Sequence, residues 1–236
     1  MARLRASELR RDGPVLLVGS SSMNGPFGHL LANDFARRGF RVARHGYTSA
    51  GLARPDFRDV RAILDALTVD ETPTTALLYF GGNDAQSIWL RPEERASGRD
   101  ARPWISWNDI RWESIYESRA REVIEKLCAR SVQHVLVVAP VDVRRKQLQA
   151  RLPRIRRNLR HAAESSSCGH FVATSGDAGR FGPGVHLRTP DGVHMTRAGA
   201  VRVWSRMRNQ VVALSSRERT AASARYSAPR SECSAL

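Results

Sequence analysis

The chain has 236 residues, 42% of them hydrophobic, enough for one sizeable domain with a real core. Its formal net charge is +15, from 38 Lys and Arg against 23 acids, which favours acidic or polyanionic neighbours and is equally the Arg usage of a GC-rich genome. No apolar run approaches the ~20 residues of a membrane helix, and the charged N-terminus lacks a signal-type apolar segment. Cys128, Cys168 and Cys233 are odd in number and lack metal spacing, so no disulfide framework is implied, and a cytoplasmic location is expected.

In chain order, residues 1–12 read as a basic extension, followed by the apolar run Val15, Leu16, Leu17 and Val18, a buried strand. Gly19 to Gly25 is a small, polar turn, and Phe27, Leu30, Leu31 and Phe35 repeat at helical spacing over residues 26–38. A strand ending in small residues and opening onto a helix exposes backbone N–H groups suited to an anion or oxyanion. A second strand is expected over 39–44, a polar loop over 45–55, a helix over 56–67 and a third strand over 74–80, running into Gly81, Gly82, Asn83 and Asp84. Residues 89–112, with Trp89, Trp104, Trp107 and Trp112, have no clean period and read as a long excursion over the sheet edge that packs on the sheet, stacks on a sugar ring or covers an acyl pocket.

A helix is then expected over 113–130, a strand over 135–139, and a basic helical segment over 143–163 interrupted at Pro153. A short strand over 171–174 precedes a loop carrying Asp191 and His194, a last helix over 197–214, and a disordered tail over 215–236. Strands alternating with helices predict a three-layer α/β/α sandwich on a parallel sheet, formed by residues 13–214, with polar clusters at the strands' carboxyl ends. His29, His45, His161, His170 and His186 have no ligand spacing, so no metal is expected.

Three clusters carry chemistry only in combination. A serine hydroxyl needs a base to take its proton and a donor for the developing oxyanion. A carboxylate three residues before an imidazole, as in Asp191 and His194, can fix the tautomer and leave Nε2 as base, whereas the bland reading makes Asp191 a helix cap. An Asn amide at a strand end, as at Asn83, can donate to an oxyanion, or simply make a turn.

Gly19 to Gly25 with Ser21, Gly51 in a polar loop, Gly81-x-Asn83-Asp84, and Asp191-x-x-His194 resemble, in order and spacing, the four sequence blocks of the SGNH (GDSL-like) hydrolase superfamily. Residues 49–57 with the Gly-x-Asn-Asp element resemble a bacterial subgroup of unknown function. The resemblance implies a flavodoxin-like sandwich and a cofactor-free serine esterase. Ser21 would be the nucleophile and His194 the base oriented by Asp191, with an oxyanion hole from the Ser21 and Gly51 N–H groups and the Asn83 amide. Asp84 and Trp107 are expected to contact substrate, a small acyl ester such as O-acetyl on a sugar or metabolite.

Ser20 stands where the superfamily usually has Asp, so a catalytically weak or inactive binding protein is the first alternative. The second is NAD(P) binding through Gly19, Gly25 and Gly28, with Arg44 toward a 2′-phosphate. The basic stretch 144–161 reads as a solvated helix face able to steer anions; nucleic acid and membrane are not expected partners.

Overall fold

The computed structural model describes residues 14–67, 73–95, 103–174 and 187–226, with side chains up to residue 212. The expected N-terminal extension lies outside the described residues. Five parallel strands form the central sheet: β1 (Val15–Gly19), β2 (Val42–Gly46), β3 (Thr75–Tyr79), β6 (His134–Val138) and β7 (Gly169–Val172), in the order β2-β1-β3-β6-β7. Val15 pairs with Val42 on one side and Thr75 on the other, so β1 runs through the middle of its neighbours.

Alternation along these strands builds two cores. Leu16, Val18, Ala76, Leu78, Val135 and Val137 face one cluster, while Val15, Leu17, Leu77, Leu136 and Val138 face the other. The first is covered by α3 (Val60–Ala66), α4 (Trp112–Cys128) and α5 (Lys146–Glu164), through Leu64, Tyr116, Ile124, Ile155 and Leu159. The second is covered by α2 (Pro26–Arg37) and α6 (Arg197–Tyr226), through Phe27, Leu31, Phe35, Val203, Trp204 and Met207. The result is the three-layer sandwich expected from the sequence. Its strand order is flavodoxin-like, not the classical dinucleotide-binding order, which removes the topological support for the NAD(P) alternative.

Four local expectations need correction. Helix α5 passes through Pro153 without a break. The proline forgoes one backbone hydrogen bond, but buried Leu152, Ile155 and Leu159 keep the segment on the sheet. The tryptophan-rich excursion contains a small antiparallel pair, β4 (Ile88–Trp89) with β5 (Trp104–Ile105). Helix α6 continues to Tyr226, past the expected end at Leu214 and into the segment read as a disordered tail.

The fourth concerns the cysteines. Cys128, closing α4, and Cys168, just before β7, form a disulfide across 40 residues of sequence. The odd number of cysteines pointed away from a disulfide framework; the return of the chain through α4 and α5, antiparallel to β6 and β7, brings the two together. No helix among the described residues is long and apolar enough to cross a membrane.

Candidate active site

Ser21 opens a single helical turn, α1 (Ser21–Asn24), directly after β1. Buried Ser20 anchors the turn, its N–H donating to the Tyr79 carbonyl at 3.1 Å while its own carbonyl accepts from Met23. The first N–H groups of a helix have no partner within it, so a nucleophile placed here sits beside backbone donors. Arg44 on β2 donates to the Met23 carbonyl at 2.6 Å. It therefore braces the serine turn, and that contact replaces the phosphate role considered for it.

Asp191 and His194 come from the loop before α6, His194 lying 173 residues from Ser21 in sequence, and meet it at the carboxyl end of the sheet. Ser21 Oγ lies 2.9 Å from His194 Nε2, and His194 Nδ1 lies 2.6 Å from Asp191 Oδ2. With Nδ1–H donated to the carboxylate, Nε2 is left to accept the serine proton; this tautomer is assigned from the partners. The other carboxylate oxygen of Asp191 accepts from Thr189 Oγ1 at 2.7 Å and from the Val193 and His194 N–H groups at 2.7 and 3.0 Å. Partial desolvation raises the Asp191 carboxyl, but these hydrogen bonds and the one from His194 outweigh it and hold its pKa well below the usual carboxylate range. The carboxylate thus stays charged well into acid.

Asn83 begins at the strand end after Gly81, whose φ of +112° is a conformation open to glycine. Its side-chain amide donates to the Ala50 carbonyl at 2.9 Å, tying the β3 loop to the loop carrying Gly51. An Asn amide has two N–H groups, and the second has no partner among the described residues. A side chain on Gly51 would collide with the carboxylate of Asp84, so that position admits only glycine without rearrangement. Ser49, two residues earlier, has φ of 60°, unusual for a residue with a side chain.

Two expected substrate contacts are placed elsewhere. Asp84 is 0% exposed and turns away from the cavity, accepting from the Ala53 N–H at 2.9 Å and from Tyr116 Oη at 3.0 Å. Burial raises its pKa to about 6 against the lowering effect of these hydrogen bonds. Its position supports the Gly51 loop from behind. Trp107 is half-buried, its ring 4.5 Å from Trp112 and capped by Arg154 at 4.8 Å and Arg151 at 5.1 Å. It packs the excursion against α4 and α5 and is not among the residues lining the cavity.

At His194, the partner of Ser21, opens a cavity of about 560 Å³ lined by Asn83, Gln86, His194, Asp191 and, from the residue before α5 and from within its first turns, Arg145 and Arg151. Sequence reading flagged the basic stretch 144–161 but did not single out these two side chains, because tertiary packing decides which of its arginines line the cavity. No group of three or more His, Cys, Asp or Glu side chains able to hold a metal occurs among the described residues.

Among solved structures, the chain is similar to LAE5, an alpha/beta hydrolase enzyme from the metagenome of Lake Arreo, Spain, at 18% identity and TM-score 0.56, covering 86% of this chain and 94% of that one. It is also similar to Axe2, an acetylxylan esterase from Geobacillus stearothermophilus, at 16% identity and TM-score 0.55, covering 81% and 90%. The lipase/acylhydrolase from Enterococcus faecalis matches at 16% identity and TM-score 0.54, covering 87% and 94%. At such identities the likeness shows a shared fold alone. No curated protein matches the chain in sequence. The model of the family described as "Protein of unknown function (DUF459)" matches residues 14–210, nearly all of the sandwich and all the residues of the site, and the chain belongs to that family.

Proposed function

We propose that this chain is a serine esterase in which Ser21 attacks an ester carbonyl. The observation that carries the reading is the continuous hydrogen-bonded relay from Ser21 Oγ to His194 Nε2 and from His194 Nδ1 to Asp191. As the Oγ–carbon bond forms, the serine proton passes to Nε2, and Asp191 stabilises the imidazolium without taking the proton. The tetrahedral oxyanion is received by the Asn83 amide and the Ser21 and Gly51 N–H groups. Collapse expels the alcohol, protonated from His194, and leaves an acyl-serine. Water, deprotonated by the same Nε2, then releases the acid and regenerates the hydroxyl.

The substrate in this reading is a small acyl ester, such as O-acetyl on a sugar or metabolite. The open cavity, with Asn83, Gln86, Arg145 and Arg151 in its lining, supports it, as does the fold shared with an acetylxylan esterase. No step requires a cofactor. Ser20 in place of the usual Asp leaves the relay intact, since the residue's backbone supports the turn while the proton passes only through Ser21, His194 and Asp191.

A fluorophosphonate probe tests the reading: covalent labelling of the intact protein at Ser21, abolished by Ser21→Ala and by His194→Ala, is the expected result. An unlabelled Ser21 in folded protein refutes the nucleophile and favours a ligand-binding protein without turnover.

A further inference from the structure

The basic helix leaves a charge question that esterase chemistry alone does not answer. Most arginines along α5 are consumed internally. Arg154 and Arg157 pair with Glu113, Arg156 with Asp142, and Arg160 with Glu164. Arg145 and Arg151 differ. Both line the cavity next to His194, and neither has a carboxylate partner among the described residues. Arg151 is held in place by donating to the Ala85 carbonyl at 2.7 Å and by stacking over Trp107, so its position is prearranged.

The first turn of α5 contains no acidic residue, and its positive dipole end adds to the same side of the cavity. Asp191 is the acidic side chain lining the cavity, and its oxygens are already occupied by His194, Thr189 and two backbone N–H groups. Two guanidinium groups lining one cavity with His194, where the lining carboxylate is spent, make a receptor for an anion.

We propose that the cavity selects esters carrying a carboxylate or phosphate group close to the scissile bond, held by Arg145 and Arg151. This rests on the esterase reading of Ser21 and specifies its substrate class. The anion can lie on either side of the ester, on the acyl group as in a dicarboxylate half-ester, or on the alcohol as in an acidic sugar.

Amide analogues, which resist hydrolysis, separate these sources. Calorimetric titration of the full chain would use acetanilide as the neutral probe, succinanilate with the anion on the acyl side, and 4-acetamidobenzoate with the anion on the leaving side. One anionic amide should bind at least about tenfold tighter than acetanilide, and that ratio should shrink as salt rises from about 50 to about 500 mM. Its identity assigns the side. Arg145→Gln, which breaks no internal bond, should cut the ratio at least about threefold, and the double variant with Arg151→Gln should cut it further. Equal binding of all three amides overturns the proposal, as does a preference that survives the double substitution in folded protein. Because the probes report binding without turnover, failure of the esterase reading shows separately, as unlabelled Ser21 with the anion preference intact.

Discussion

Asp84 offers a test of how the site is supported from within. Its carboxyl is wholly buried behind Gly51, and burial lifts its pKa from the ordinary 3.8 to about 6 against hydrogen bonds from Ala53, Tyr116 and Leu52. A folded-state pKa above the unfolded value means that the folded protein holds this proton more tightly. The stabilising contribution is therefore complete below about pH 3.8 and is lost as pH rises through about 6, after which it stays constant. A rise of roughly two pH units, at about 1.4 kcal/mol each, corresponds to about 3 kcal/mol across that window.

Asp84→Asn keeps the amide oxygen for the Ala53 N–H and removes the ionisation. Urea unfolding of both proteins at several pH values gives a difference curve in which the other titrating groups cancel. The wild type should lose about 3 kcal/mol relative to the variant between about pH 4 and pH 6.5. A flat difference curve, or one of opposite slope, refutes the claim that this carboxyl carries the cost of its burial.

Other predictions follow from neighbouring contacts. Asn83→Ala should lower kcat for a p-nitrophenyl ester by about 10²–10³-fold with little change in KM, because its free amide N–H serves the oxyanion rather than the ground state. Asp191→Asn should leave the loop folded, since one oxygen keeps its three donors, yet lower kcat by about 10²–10⁴-fold by presenting an N–H to His194 Nδ1 and disfavouring the productive tautomer. Because Asp191 stays ionised well into acid, kcat/KM should show no acid limb at an ordinary carboxyl pKa, and a profile that tracks one would count against the assignment. Replacing Cys128 and Cys168 together by Ala should reduce stability by about 2–4 kcal/mol, read as a lower urea midpoint, since the bridge closes a long loop.

Much of the sandwich is legible in the chain itself. Val15 to Val18, Thr75 to Tyr79 and His134 to Val138 are short apolar runs bounded by turn residues, and strand and helix periods are local properties that one segment displays alone. The candidate triad of Ser21, His194 and Asp191, with Asn83 beside it, was legible only through the joint resemblance of four short blocks to those of the SGNH hydrolases, since each block alone reads equally as a turn or cap. What local pattern does not contain is the direction in which a side chain finally turns. Asp84 follows Asn83 directly, yet one faces the cavity and the other the core, because the short helical turn after Gly81 rotates successive residues to opposite sides. Arg145 and Arg151 are indistinguishable in sequence from Arg154 and Arg157; the packing of α5 on the sheet decides which guanidinium meets Glu113 and which meets the cavity. Cys128 and Cys168 become partners only through the return of the chain between α4 and β7. Sequence determined the elements and the chemistry at their ends; long-range packing, which no single segment encodes, decided which of those groups share a space.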